Sequence, residues 1–499
     1  MTEWSDHVPV SGTVQLPPDP RVMEAMGRNH SLETALADLV DNSIDASATH
    51  VLVQFIRSGG KLRALCVVDN GRGMGTDQIN AAMTMGGNRA YASDDLGHFG
   101  LGLKAASFSQ ARSLTVISRR AGDEAVGRRW QLEEAIKSYH CDEVNASFAA
   151  NVVDSDWGLP STGTGTVVRW DDVTGFLSTD DSDQVETFIT RTVNTVALHL
   201  GIVFHRFLER ERVHIAIDVR DAEDDGPSAH VDVTPLNPFG YPASARSDFP
   251  KEVHSTTRPG ITFRCHIWPK SNRPEFKLGG NPDRHQGWYF YRNDRLLVAG
   301  GGWEGLSAPH ARMQHARVEI EINDQISGLF RMNPEKSKVL VGPEFAEICE
   351  TARADDGTSL SSYLATAEEV YRTSRKRSNA RKKMIHPGYG FAPGLKDSIK
   401  NEIPPLNEHE TISIRWRQFT SDAFFEVDRD EYTLWLNKRY RKMLLGGKHG
   451  GLNDLPLIKT LLYLLMENIF EGQFLGARDK DNIDLWQELL TIAVRAERQ

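Results

Sequence analysis

The sequence predicts a multidomain α+β protein, and three observations predict it. Its 499 residues exceed what one ordinary hydrophobic core holds, so two or three domains are expected. The first third alternates between helical and strand periodicity, with glycine-rich turns between the segments. The last stretch, 411–499, is dominated by long apolar helical patterns such as "DLPLIKTLLYLLMENIF".

Composition bounds the rest. Hydrophobic residues make up 39% and charged residues 25%, as in globular proteins generally. A net charge of -10 and a pI of about 6.0 exclude a global basic field, so any nucleic-acid contact needs a local patch. Cys66, Cys141, Cys265 and Cys349 lie far apart with no Cys-x-x-Cys spacing. That argues against a zinc ribbon or disulfide framework and fits a reducing, cytoplasmic setting. "MTEWSDHVPVSG" has no basic-then-apolar signal peptide. The run "LPLIKTLLYLLMENIF" is interrupted by Lys459 and too short to span a bilayer, so no membrane role is expected.

The first element is a helix over 32–47. At about 100° per residue, Leu32, Leu36, Leu39, Val40, Ser43 and Ala46 form a core face. Asp38, Asn42 and Asp45 fall opposite, with no lysine or arginine on the helix to balance them. Carboxylate and amide oxygens together suit magnesium shared with a phosphate group. "KLRALCVVDNGRGMG" follows, a strand ending at Asp69 and then a turn with Gly71, Gly73 and Met74. A carboxylate at a strand end can accept from an exocyclic amine, and glycines let backbone approach a flat ring. In "DDLGHFGLGLKAASFSQA", Gly97, Gly100 and Gly102 lead into a helix whose free N–H groups suit phosphate oxygens. Lys104 in its first turn opposes the helix dipole unless an anion is near. The segment 83–98 reads as a lid, rich in Gly, Asn and Ser. "STGTGTVVRWDDV" is a glycine–threonine turn entering a strand, with Thr166 at its start.

Further along, 185–206 has helical periodicity, and 211–219, 260–269 and 316–323 read as strands. "GWYFYRNDRLLVAGGGW" is strand, turn, strand, with Trp288, Phe290 and Tyr291 as core. Past Pro343 the pattern turns helical and ends in a basic run: Arg372, Arg375, Lys376, Arg377, Arg381, Lys382 and Lys383.

In this order, "DLVDNSIDASA", "DNGRGMG", "GHFGLGLK" and "GTGTVVRW" resemble the motifs of the GHKL ATPase superfamily, which includes gyrase, the heat-shock chaperone, histidine kinases and MutL. The resemblance is closest to the MutL and MORC branches. It implies a Bergerat-type α/β sandwich ATPase domain over 1–180 and a ribosomal S5-like transducer domain over 181–345. A helical segment and linker with the basic run would occupy 346–395, and a mainly helical C-terminal domain 396–499. The cofactors implied are ATP and Mg2+. Asn42 would ligate the metal, with Asp45 beside the nucleotide. Asp69 would read adenine, and Gly71, Gly73 and Met74 would line the base. Gly100, Leu101, Gly102 and Leu103 would offer amides to the phosphates, with Lys104 beside them, and Thr166 would be the distal pocket hydroxyl. Asp38 falls where the family places a glutamate that activates water, and is one methylene shorter. "NPEKSKV" resembles the loop whose lysine reaches the γ-phosphate, which makes Lys336 the sensor and Lys338 the fallback.

The resemblance, together with the basic run, implies an ATP-gated switch that dimerises on ATP and acts on DNA, in a repair or anti-phage defence complex with partner proteins. Two alternatives stand beside it: a heat-shock-type chaperone for protein clients, and a slowly hydrolysing nucleotide sensor that scaffolds partners.

Overall fold

The computed structural model describes residues 30–84, 102–138, 140–160, 162–177, 179, 181–223, 229–304, 306–323, 326–332, 339–342, 344–379, 383–407, 409–446, 450–471 and 475–496. The chain divides into two compact units, 1–368 and 369–499.

The first unit begins with helix α1 (Leu32–Asp45), the hairpin β1 (His50–Ser58) and β2 (Lys61–Asp69), then α2 (Thr76–Met83) and α3 (Gly102–Gln110). Strands β3 (Ala111–Arg119) and β4 (Val126–Gln131) follow, then α4 (Leu132–Ser138), β5 (Asp142–Glu143), α5 (Ala146–Val153) and β6 (Gly165–Val173). The long helix α6 (Ser182–Val203) and the short α7 (His205–Glu209) lead to β7 (His214–Asp221) and β8 (Ala229–Asp232). These eight strands form one sheet, ordered β5-β4-β3-β6-β2-β1-β7-β8. Strand β7 lies parallel to β1 in the register His50↔His214, so the chain returns to the first sheet after α6.

The sheet is covered on both faces, which is why "LRALCVVD" reads as an almost unbroken apolar run. Leu65 and Val67 share one core with Leu36 and Val40 of α1 and Val196 and Leu200 of α6. The alternate residues Cys66 and Val68 join Ala149 of α5 on the other face.

A second, five-stranded sheet is built from β9 (Lys251–His254), β10 (Thr262–Ile267), β11 (Gly287–Arg292), β12 (Arg295–Ala299) and β13 (Ala316–Glu321), in the order β12-β11-β13-β10-β9. The turn between β11 and β12 places Asn293 and Asp294 at φ 48° and 66°. Trp288, Phe290 and Tyr291 are core, as their sequence pattern requires. The hairpin of β14 (Phe330–Met332) and β15 (Val339–Val341) and the helix α8 (Glu344–Thr351) close this region. Phe345 of α8 lies 5.4 Å from Trp288 and 5.6 Å from Phe330, ring centre to ring centre.

Helix α9 (Leu360–Asn379) crosses into the second unit. The side chains of the basic run at Arg375, Lys376, Arg377, Arg381 and Lys382 lie outside the described residues. Among the described residues, the second unit carries four α-helices beyond α9, with Pro456–Met466 and Ala477–Ala496 the longest. It also carries a four-stranded sheet whose longest members are Thr411–Arg417 and Thr433–Asn437. Its core joins Ile412, Ile414, Leu434 and Leu436 to Tyr463 and Phe470. Part of the leucine stripe faces outward, with Leu461, Leu485 and Leu489 exposed.

Candidate nucleotide-binding site

The site is built where the C-terminal end of β2 meets α1. Strand β2 delivers Asp69, which is 8% exposed. Its Oδ1 accepts from the Gly71 amide at 2.9 Å, and its Oδ2 from the Ser43 hydroxyl at 3.1 Å. Burial pushes the Asp69 carboxyl up to about 6, against the opposing pull of the Gly71 amide, the Ser43 hydroxyl and the Thr166 amide. The register of β2 on β6 sets Thr166 directly across from Asp69. The Thr166 hydroxyl is 2.9 Å from the Ser118 hydroxyl, and Ser118 Oγ accepts from the Met74 amide at 2.8 Å. Thr166 is therefore next to Asp69.

The glycines of the turn meet close backbone. At Gly73, φ is +66° and a Cβ would stand 1.9 Å from the Arg119 carbonyl oxygen. At Gly71 a Cβ would be 2.8 Å from the Ala46 carbonyl oxygen and 2.9 Å from Asp69 Oδ1. Thr164 Oγ1 also donates to the Gly71 carbonyl at 2.8 Å. Asp69, Gly71, Gly73, Met74 and Thr166, from two distant stretches of sequence, are thus one cluster.

Helix α1 departs from the two-faced helix that its sequence suggests. Asn42 is exposed and Asp45 half-buried, yet Asp38 is 2% exposed and Asp41 fully buried. The countercharge absent from the helix comes from β12. Arg295 Nε donates to Asp41 Oδ1 at 2.7 Å, and its Nη2 is 3.5 Å from Asp38 Oδ1. On the other side His30 Nε2 is 3.9 Å from Asp38 Oδ2. A bound cation is therefore not the only neutraliser of these acids.

Gly102 and Leu103 open α3 as the glycine-rich pattern requires. The sequence puts Lys104 beside phosphates, but its side chain is buried and its ammonium donates to the Ala82 and Thr84 carbonyls, both at 2.8 Å. Those carbonyls end α2, and a cation there favours the helix dipole. Of the lid expected over 83–98, Met83 is the buried last residue of α2, and 85–98 lie outside the described residues, as do Gly100, Leu101, Lys336 and Lys338.

Sequence reasoning missed Ser43, Ser118 and Arg295 as members of this cluster. The helical periodicity puts Ser43 on the core face, where it is, but its hydroxyl serves Asp69. Ser118 carries no motif. Arg295 stands inside "YRNDRLL", where only its position after the turn marks it.

Residues 30–155 match the family described as histidine kinase-, DNA gyrase B- and HSP90-like ATPase. Residues 30–155 thus resemble a GHKL-type ATPase domain. Within this superfamily its sequence is similar to the MORC type: over 89 residues it is 33% identical to the ATPase morc-1 of Caenorhabditis elegans. That stretch spans 18% of this chain and only 10% of the relative. A crystal structure of the N-terminal domain of a DNA repair protein aligns loosely, with a TM-score of 0.39 and 16% identity over 73% of this chain and 99% of that one. The matched stretch holds Asp69 and the glycine turn, and Thr166 lies beyond it, on β6. Among the described residues, no helix is long and apolar enough to cross a membrane, and no cluster of three or more His, Cys, Asp or Glu side chains could hold a metal alone. Asn42, exposed on α1, suits a metal shared with phosphates instead.

Proposed function

We propose that the chain is an ATP-gated switch of the MORC and MutL type that binds Mg–ATP and hydrolyses it. The observation that carries this reading is the buried Asp69 carboxylate, held by Ser43 and the Gly71 amide beside a glycine turn in a GHKL domain. A carboxylate so fixed accepts from the exocyclic amine of adenine and rejects a base that presents a carbonyl there. Asn42 would hold magnesium, whose charge offsets that of the phosphates. Gly100, Leu101, Gly102 and Leu103 would donate backbone N–H groups to the phosphates, and Asp45 lies one turn from Asn42 on the same helix. Asp38 would take the proton of the attacking water, and Lys336 would bind the γ-phosphate from outside the domain. A cation delivered this way joins two parts of the chain only while the triphosphate persists. Two protomers would close together on ATP, acting on DNA in repair or in defence against foreign DNA, with partner proteins.

A second reading, a nucleotide sensor that hydrolyses slowly, is favoured by Asp38 itself. Its side chain is short and is 3.5 Å from Arg295. Both readings are tested by ATP turnover of the full chain with and without duplex DNA, across a salt series. DNA-stimulated turnover that fades with salt supports the first; ATP binding with turnover indifferent to DNA supports the second. No heat on titrating Mg–ATP into the protein removes both.

A further inference from the structure

Arg295 belongs to the second sheet, yet its guanidinium is buried against the acids of α1, which packs on the first sheet. It is 4% exposed, and the two carboxylates it meets are 0% and 2% exposed. Its stem passes Phe204, just beyond α6, with the guanidinium carbon 5.9 Å from the ring centre. One guanidinium serves two carboxylates: Nε donates to Asp41 Oδ1, and Nη2 stands at ion-pair distance, 3.5 Å, from Asp38 Oδ1. A lysine ammonium has no planar fork and cannot hold both in one plane. Asp38 is therefore flanked: Arg295 faces its Oδ1, and the His30 ring faces its Oδ2. His30 is itself fixed, because its carbonyl accepts from Gln110 Nε2 at 2.9 Å and its Nδ1 is 3.3 Å from Thr34 Oγ1.

We propose that Arg295 is a positioning residue for hydrolysis: carried by β12, it bridges Asp41 and Asp38 and so aims Asp38 according to how the second sheet is seated. This rests on the reading of Asp38 as the group that takes the proton from water. An aspartate has only two rotatable bonds, so ion-pair neighbours beside both oxygens limit how its carboxylate can turn. Asp41 is the anchor of the bridge and Asp38 its working end.

The test compares Arg295→Lys and Asp41→Asn with wild type in the full chain. Affinity is read with a non-hydrolysable ATP analogue and magnesium, and turnover at saturating ATP. The expected result is affinity within about threefold of wild type and kcat lowered at least about tenfold in Arg295→Lys, because the lost interaction serves only the reacting geometry. Asp41→Asn lowers kcat in the same way, and the double variant loses no more than the worse single one, since both cut one bridge. Wild-type kcat in Arg295→Lys overturns the proposal, as does a loss confined to affinity. Should Arg295→Lys fail to fold, Asp41→Asn is measured by the same two readouts, and the same outcomes support or overturn the proposal. Asp38→Asn, assayed alongside, separates the layers. Wild-type turnover there removes Asp38 as base. Its loss there, with Arg295→Lys and Asp41→Asn at wild-type kcat, removes only the role of Arg295.

Discussion

The Ser43 hydroxyl donates to Asp69 Oδ2 over 3.1 Å, tying α1 to the end of β2 at the point where a base would be read. Burial sets the Asp69 carboxyl at about 6, above its ordinary 3.8. The folded state therefore holds this proton more tightly than the unfolded chain does. Its charge costs stability, fully above pH 6 and not at all below about pH 4, and stability falls as pH rises through that window. The span is on the order of 3 kcal/mol. Asp69→Asn abolishes this slope and raises stability at pH 8, while weakening ATP-analogue binding about tenfold or more. Urea unfolding from pH 4 to 8 measures the first effect and calorimetry the second. Parallel pH curves for the two proteins would contradict the assignment.

Two glycines near the site answer differently to a methyl group. Gly73→Ala puts Cβ 1.9 Å from the Arg119 carbonyl at a φ of +66°. Backbone must shift, so a loss of at least about 2 kcal/mol is expected. At Gly102, the first residue of α3, a Cβ has nothing within 4 Å. Gly102→Ala leaves stability unchanged or raises it by up to about 1 kcal/mol. Equal unfolding midpoints for the two variants would show that the turn is not constrained as described.

Arg317 lies fully buried in the second sheet, where Nη1 donates to the Glu275 carbonyl at 2.8 Å and also to that of Pro238, and Nη2 to that of Phe276. The rings of Trp268, Phe276 and Tyr289 surround its guanidinium. Arg317→Met keeps the stem but leaves three carbonyls without this donor, a loss of at least about 3 kcal/mol. Denaturant unfolding of the full chain would show it as an early transition. A variant within about 1 kcal/mol of wild type would mean that water replaces the guanidinium.

Much of this architecture is legible in the chain. The β2 strand, the glycine turn and the β6 strand are fixed by local chemistry, and their residues meet as their patterns require. Long-range pairings are not legible. Nothing local says that 214–221 returns to lie parallel to β1, because an apolar-alternating strand fits either sheet. The pairing of Arg295 with Asp41 joins residues 254 apart, and charge patterning reads only neighbours on one element. Helix α1 looks amphipathic because Asp38 is acidic; burial of an acid is visible only once its partner is placed.

Lys104 gives the last prediction. Its ammonium and the Trp130 indole cap three successive carbonyls, Ala82, Met83 and Thr84, at the end of α2. Burial lowers the Lys104 ammonium to about 8 from its ordinary 10.5. The folded state thus releases this proton more readily than the unfolded chain, and stability rises with pH between about 8 and 10.5. The cost of holding the charge at neutral pH is on the order of 3 kcal/mol, opposed by the two carbonyl hydrogen bonds. Lys104→Met removes both: the alkaline slope disappears, and at pH 7 the relieved charge and the lost carbonyl donors offset each other to within about 3 kcal/mol. Urea unfolding of both proteins from pH 7 to 10.5 decides it. Curves that run parallel across this range would show that the ammonium is not buried at the end of α2, and would return Lys104 to the phosphate side that its place after the glycine-rich loop first suggested.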